Sequence, residues 1–112
     1  MQQVMRQPEG EIGISTVTLS ELEYGARRSQ RPAANRWALV SFMAGFETLD
    51  YDDTAAAEYG RIRMELESAG TPIGPLDIMI AAHALACRRV LVSNSEREFR
   101  RVDSLEVANW VL

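Results

Sequence analysis

Hydrophobic and polar positions along the 112-residue chain alternate between short apolar runs and longer segments in which apolar residues recur every three or four positions. The apolar runs predict strands at residues 12–15, 46–49, 90–93 and 105–107. Helical spacing predicts helices over residues 18–29, 33–44, 53–68 and 75–86. Strands that are joined by helices normally pair in parallel, so the pattern predicts an α/β fold on a parallel sheet.

Asp77 lies in the last of these predicted helices, which is apolar on nearly every side. A helix without a polar face is normally buried, and burying an unpaired carboxylate is costly. Its neighbours on the same helix face are apolar, namely Ile80, Ala81 and Ala84. A metal ion or a distant arginine must therefore satisfy Asp77, unless it merely occupies the first helical turn, where the helix dipole favours acids.

Glu21 is a second candidate, and it also has a purely structural alternative. Thr18 and Glu21 have the spacing of a capping box, in which the glutamate bonds back to the start of the helix. Gly25 follows one turn later on the same side, where alanine would favour the helix by about 1 kcal/mol. Because Gly25 has no side chain, we expect either a ligand that approaches the backbone closely beside Glu21 or tight packing against another helix.

Asn94 follows the predicted strand at residues 90–93, at the carboxyl edge where parallel sheets place their ligands. Its alternative is a turn, because Ser95 and Glu98 also have capping-box spacing. Oxygen ligands without histidine or cysteine companions favour Mg²⁺ or Mn²⁺ over zinc. His83, the only histidine, is expected to be a core residue.

Length and composition predict one soluble globular domain, with 46% hydrophobic and 25% charged residues. The strongly apolar stretch at residues 78–87 is shorter than the ~20 residues of a membrane helix, and the single cysteine forms no internal disulfide. We therefore expect a cytoplasmic protein with no membrane segment. All 12 basic residues are arginines, against 16 acids, so arginine clusters predict either local contacts with RNA or an acidic partner, or solvated helix faces.

Three segments resemble, in order, the motifs of a PIN domain, and most closely those of its VapC-like branch, the ribonuclease toxins of type II toxin–antitoxin pairs. They centre on Thr18-Leu19-Ser20-Glu21, Gly74-Pro75-Leu76-Asp77 and Ser93-Asn94-Ser95-Glu96. The resemblance extends from about Ile12 to Trp110. Three motifs in order at the family's spacing are specific.

This resemblance implies an α/β/α sandwich on a parallel sheet and Mg²⁺- or Mn²⁺-dependent cleavage of RNA. It makes Glu21 and Asp77 catalytic carboxylates and places Glu21, Asp77 and Asn94 among the metal ligands. Clustered carboxylates repel until a divalent cation joins them, and such a cation activates water. The implied partners are an RNA substrate, a cognate VapB-like antitoxin and a second copy in a homodimer.

The chain departs from the PIN pattern at its start. Members of the family begin with an apolar strand that ends in an aspartate, a principal metal ligand, and a helix follows. Residues 1–11 are a non-matching stub without aspartate. We expect this first strand and helix, roughly 20 to 30 residues, to be missing, and the neighbouring strands to be left unpaired. A gene start assigned too late is the most economical explanation.

Three functions follow from these observations. The first is a Mg²⁺-dependent endoribonuclease, the toxin of a VapBC-type pair, whose activity is in question because the first metal-binding aspartate is absent. The second is a catalytically inactive PIN remnant that binds an antitoxin or dimerises. The third is a metal-free structural α/β domain, which predicts no stabilisation by divalent ions.

Overall fold

The computed structural model describes residues 3–7 and 11–109, so Trp110 lies outside the described part. Within it, the strands are β1 (Val4–Arg6), β2 (Ile12–Ser15), β3 (Glu47–Leu49), β4 (Val90–Val92) and β5 (Val107–Ala108). The helices are α1 (Thr16–Arg27), α2 (Pro32–Met43), α3 (Asp53–Ser68), α4 (Pro75–Cys87) and α5 (Glu96–Phe99). The predicted strands and long helices are all present, with ends that differ by a few residues.

The strands form a five-stranded sheet with the order β3-β2-β1-β4-β5. β2 pairs with β3 in parallel, and β4 pairs with β5 in parallel, as the helical connections predict. β1 runs antiparallel to both of its neighbours, β2 and β4. The α/β class is therefore confirmed, and the sheet is mixed because its central strand is reversed.

β1 fills the centre of the sheet, although the sequence predicts no strand before Ile12. Met5 lies opposite Gly13 on one side and opposite Leu91 on the other. Val4 and Met5 are each 1% exposed, and they pack into separate clusters on the two faces of the sheet. The expectation of an empty central position with unpaired neighbours is wrong for this sheet, because the short apolar segment pairs with both strands.

Helices cover the two faces of the sheet unequally. On one face, Met5 and Leu91 pack with buried residues of α3, α4 and α5, including Ile62, Ile80 and Phe99. On the other face, Val4, Ile14 and Val92 form a smaller cluster, against which Met43 and Phe46 pack. The larger core therefore lies on the side of α4, the helix that carries Asp77.

α4 is the most deeply buried helix of the described chain, as its sequence predicts. Gly74 is its N-cap and Pro75 its first residue, and residues 80–84 are all 0% exposed. Such a helix is held by packing on several sides, so it positions a first-turn side chain rigidly. No helix in the described part of the chain is long and apolar enough to cross a membrane.

Candidate active site

Glu21 lies in the middle of α1, because this helix begins earlier than the sequence predicts. Ser15 is the N-cap, and its Oγ accepts a hydrogen bond of 3.0 Å from the Val17 N–H. The predicted helix start at Thr18 is therefore wrong, and Glu21 stands more than one turn beyond the cap. This position removes the capping box as an explanation for Glu21, whose side chain is exposed.

His83 joins α4 to the start of α1 through the same serine. Its Nδ1 forms a buried hydrogen bond of 2.7 Å with Ser15 Oγ, the same atom that accepts the Val17 N–H. Tyr51 meets the imidazole edge-on, with ring centroids 5.6 Å apart. Burial lowers the pKa of His83. The expectation of a core histidine is confirmed, and His83 keeps the helices of Glu21 and Asp77 in register.

Asp77 is part-buried in the first turn of α4. Burial, a hydrogen bond that protonated Asp77 donates to Glu98, the negative charge of Glu98 and the charge of Glu21 together raise the pKa of Asp77 to about 6. Gly74 leaves space on one side, since a Cβ there would lie 3.9 Å from Asp77 Oδ2. The groups that act on Asp77 are carboxylates and no arginine is among them, which disfavours the distant-arginine alternative.

Glu98, in the short helix α5, is a further candidate site residue that the sequence motifs do not single out. Its spacing from Ser95 matches a capping box, which offers a structural explanation for the glutamate. In the structure the Ser95 side chain makes no capping bond, and Glu98 faces Asp77 instead. The sequence offers one signal for Glu98, namely that it directly precedes Phe99. Phe99 is buried and anchors α5 to the core.

Asn94 is exposed and makes no hydrogen bond to Glu21 or Asp77 within the described residues. The loop around it is instead organised by Ser93, which is 0% exposed and whose Oγ accepts a hydrogen bond of 3.0 Å from the Ser95 N–H. The structure thus brings together two of the three predicted site residues, Glu21 and Asp77. It adds Glu98 from the segment that carries Asn94.

The three acids come from separate helices and offer only carboxylate oxygens, the donors that Mg²⁺ prefers. Within residues 3–7 and 11–109, no group of three His, Cys, Asp or Glu side chains is close enough to enclose a metal ion. Mg²⁺ does not require such an enclosure, since it commonly binds through one or two carboxylates, several waters and the phosphates of its substrate. Asp77 and Glu98 are chemically suited to that mode of binding.

Comparison with known families gives this acidic site its context. The family model of the PIN domain matches residues 2–105. The chain belongs to the PIN domain family. The resemblance that the sequence motifs suggested is therefore confirmed over nearly the whole chain.

This PIN domain is similar to several curated ribonucleases. It is 45% identical to the tRNA(fMet)-specific endonuclease VapC of Shigella flexneri over 102 residues, which are 91% of this chain and 77% of that protein. It is 43% identical to ribonuclease VapC2 of Haemophilus influenzae over 105 residues, 94% of this chain and 80% of the relative.

Solved structures of toxin–antitoxin complexes share the fold of this PIN domain. DNA-bound VapBC from Salmonella typhimurium matches with a TM-score of 0.85 at 44% identity, covering 88% of this chain and 75% of that chain. VapBC-1 from nontypeable Haemophilus influenzae matches with a TM-score of 0.86 at 30% identity, covering 92% and 77%. The α/β architecture seen here is therefore that of known VapC-like PIN domains.

Two of the arginine clusters of this PIN domain differ in their surroundings. Those of α3 contact glutamates on the same exposed helix face, as in the pairs Arg61–Glu65 at 3.0 Å and Arg63–Glu67 at 2.9 Å. For these, the interpretation as solvated helix faces holds. Arg28 of the first cluster forms no ion pair within the described residues, and its guanidinium carbon lies 5.4 Å from the centroid of the Tyr24 ring. Arg28, the C-cap residue of α1, therefore presents a positive charge without an acidic partner at the end of that helix.

Gly25→Ala is expected to raise the free energy of unfolding by about 0.5–1 kcal/mol, because alanine favours a helix interior. A Cβ at Gly25 would meet no atom within 4 Å, so tight helix packing does not explain this glycine. Chemical denaturation measures the effect. Gly60→Ala in α3, where a Cβ also meets nothing within 4 Å, is the matched control. Loss of stability at Gly25 alone would contradict the expectation.

Proposed function

We propose that the chain is a Mg²⁺- or Mn²⁺-dependent endoribonuclease, the toxin of a VapBC-type toxin–antitoxin pair that acts in the cytoplasm. The observation that carries the proposal is the environment of Asp77, where burial, the neighbouring Glu98 and the charge of Glu21 together raise its pKa to about 6. Carboxylates that destabilise one another in this way gain most from a divalent cation. Relatives of 43–45% identity that are named ribonucleases support the assignment.

In this proposal Asp77 and Glu98 hold the cation, and Glu21 is the third carboxylate of the acidic site. When bound, the cation supplies Lewis acidity toward the phosphodiester and lowers the pKa of a bound water. Asp77 lies on a buried helix, so its carboxylate is held in place for the cation. Glu21 is exposed, and we assign it the role of general base that accepts a proton from the attacking water. Asn94 keeps its predicted role as a further oxygen ligand.

The purified chain tests this proposal directly. We expect it to cleave RNA in millimolar Mg²⁺ or Mn²⁺ and to lose that activity with EDTA, with initiator tRNA as one probe because the Shigella relative is named for it. The midpoint of thermal unfolding is expected to rise with Mg²⁺. Cleavage that persists in EDTA contradicts the metal-dependent mechanism. A chain that binds an antitoxin without any cleavage is instead the inactive remnant.

Antitoxin binding is the second part of the proposed function, and α2 is its specific support. None of the 12 residues of α2 is buried, and Trp37 and Phe42 are 73% and 44% exposed. Beside this helix, an apolar hollow of about 320 Å³ extends to α1 and the sheet residues Val4 and Ile14. Exposed aromatic side chains next to an apolar hollow are typical of protein interfaces, and the solved relatives are toxin–antitoxin complexes.

Trp37→Ser is expected to weaken binding of the cognate antitoxin about 30-fold, because buried tryptophans dominate interface energies. Calorimetric titration of the purified toxin with its antitoxin measures the change. Met64→Ala is the matched control, since Met64 is 67% exposed on α3, away from the hollow. Equal affinities of both variants would place the antitoxin elsewhere. The homodimer expected from the family stays a prediction.

A further inference from the structure

A second groove of about 420 Å³ lies between α1 and α4 and opens onto the acidic site. Its lining residues are Val17, Ser20, Glu21, Tyr24, Leu76 and Met79. Glu21 belongs both to this groove and to the acidic site, and Leu76 immediately precedes Asp77. The groove is therefore directly adjacent to the acidic site. We call it the Tyr24 groove.

Large apolar side chains are left in water in the Tyr24 groove. Tyr24 is 65% exposed and Leu76 is 46% exposed, whereas most of the middle of α4, Ile78 and residues 80–84, is buried. The groove volume lies within the ~300–1,000 Å³ typical of ligand sites. An apolar groove with a few polar groups, at the edge of an acidic site, is suited to a ligand that is flat and apolar on its faces and charged at its edge.

Tyr24 also contacts Arg28, one of the arginines that form no ion pair within the described part of the chain. The Arg28 guanidinium carbon lies 5.4 Å from the centroid of the Tyr24 ring, so the ring and the positive charge are presented together. Single-stranded RNA is bound by this combination, since bases stack on aromatic rings and guanidinium planes while arginine neutralises the phosphate. The one acid of the lining, Glu21, disfavours an acidic protein segment, so an uncharged base is the better occupant of the groove.

We propose that the Tyr24 groove binds one unstacked base of the RNA strand, next to the phosphate that lies at Asp77 and Glu98. Tyr24 stacks on the base, Leu76 and Met79 form the apolar floor, and Arg28 contacts the adjoining phosphate. The inference rests on the proposed ribonuclease function and adds to it a base-binding subsite. It also predicts tolerance of base identity, because every base has an aromatic face.

Binding of short single-stranded RNAs that carry one 2-aminopurine tests this subsite without cleavage, in an Asp77→Asn background with EDTA present. Tyr24→Ala is expected to weaken binding about 10-fold and to remove the quenching of 2-aminopurine at one position. Tyr24→Phe keeps both the affinity and the quenching, since it keeps the ring. Met64→Ala, which removes an exposed apolar side chain on α3, is expected to match the parent.

The outcomes separate the subsite from the proposed function. A wild-type chain that cleaves RNA, with a Tyr24→Ala variant that binds RNA as tightly as its parent, overturns the subsite alone. A wild-type chain that neither binds nor cleaves RNA overturns the proposed function, and the subsite with it. If Tyr24→Ala keeps its RNA affinity but changes the oligomeric state or antitoxin affinity, the groove is a protein interface and the proposal is wrong.

Discussion

Asp77→Asn is expected to lower the rate of RNA cleavage by about 10²–10³-fold while leaving the fold intact. Asparagine has the same shape as aspartate, so the first turn of α4 keeps its packing. It removes the negative charge that faces Glu98 and Glu21, and with it the strongest electrostatic attraction for a divalent cation. The initial rate of cleavage in saturating Mg²⁺ measures the loss, and the stabilisation of the protein by Mg²⁺ should fall in parallel.

Asp53→Asn is the matched control for this experiment. Asp53 is also an acid in the first turn of a helix, α3, where it shares the favourable helix dipole but faces no other site residue. If Asp77 acted only through the helix dipole, the two variants would lose similar, small amounts of stability, about 0.3–1 kcal/mol each, and both would cleave RNA normally. Full activity of Asp77→Asn rejects the site assignment.

The fold class, and Asp77 as a candidate site residue, could be predicted from the sequence because both depend on local pattern. The apolar helix α4 is long and begins at Gly74-Pro75, so its burial and the anomaly of Asp77 within it are visible without any tertiary information. Likewise, the apolar run of β4 predicts a buried strand, and its three residues are buried. Strong periodicity over a whole element leaves few alternatives.

Glu21 and Glu98 were harder because each has a local explanation that only the structure removes. Both follow a hydroxyl residue at capping-box spacing, Thr18 and Ser95. The true cap of α1 is Ser15, and the Ser95 side chain makes no capping bond. The choice between neighbouring caps depends on where the preceding strand ends, which is set by pairing across the sheet and not by the helix sequence.

β1 was not predictable for a different physical reason. Three residues, Val4–Arg6, have too little pattern to indicate a strand. They form a strand because they pair with β2 on one side and β4 on the other. The pairing with β4 joins residues far apart in the sequence, so it is not visible in the local pattern. Its reversed direction also matters for the site, because Arg6 lies beside Val90, at the start of β4, and Val4 beside Val92 at its end. The first residue of β1 therefore lies at the edge of the sheet where β4 ends.

The metal-free protein is expected to lose stability as the pH rises from about 4 to about 6, and Asp77→Asn is expected to lose less. Asp77 has a pKa of about 6 in the folded chain against an ordinary value of 3.8. The folded protein therefore binds this proton more tightly than the unfolded chain does, and stability falls across that window. Above it, the ionised Asp77 repels Glu98 and Glu21 in full. Asparagine mimics the protonated form and avoids this repulsion.

Thermal unfolding of both proteins in EDTA, at about pH 4 and about pH 7.5, measures this linkage. Their midpoints should nearly coincide at the lower pH, and the variant should be several degrees more stable at the higher pH. Mg²⁺ should close that gap by stabilising the wild-type chain at the higher pH alone, since only ionised carboxylates bind it. Asp53→Asn should follow the wild type throughout. A constant difference between Asp77→Asn and wild type at both pH values would show that the three carboxylates do not interact as the structure indicates.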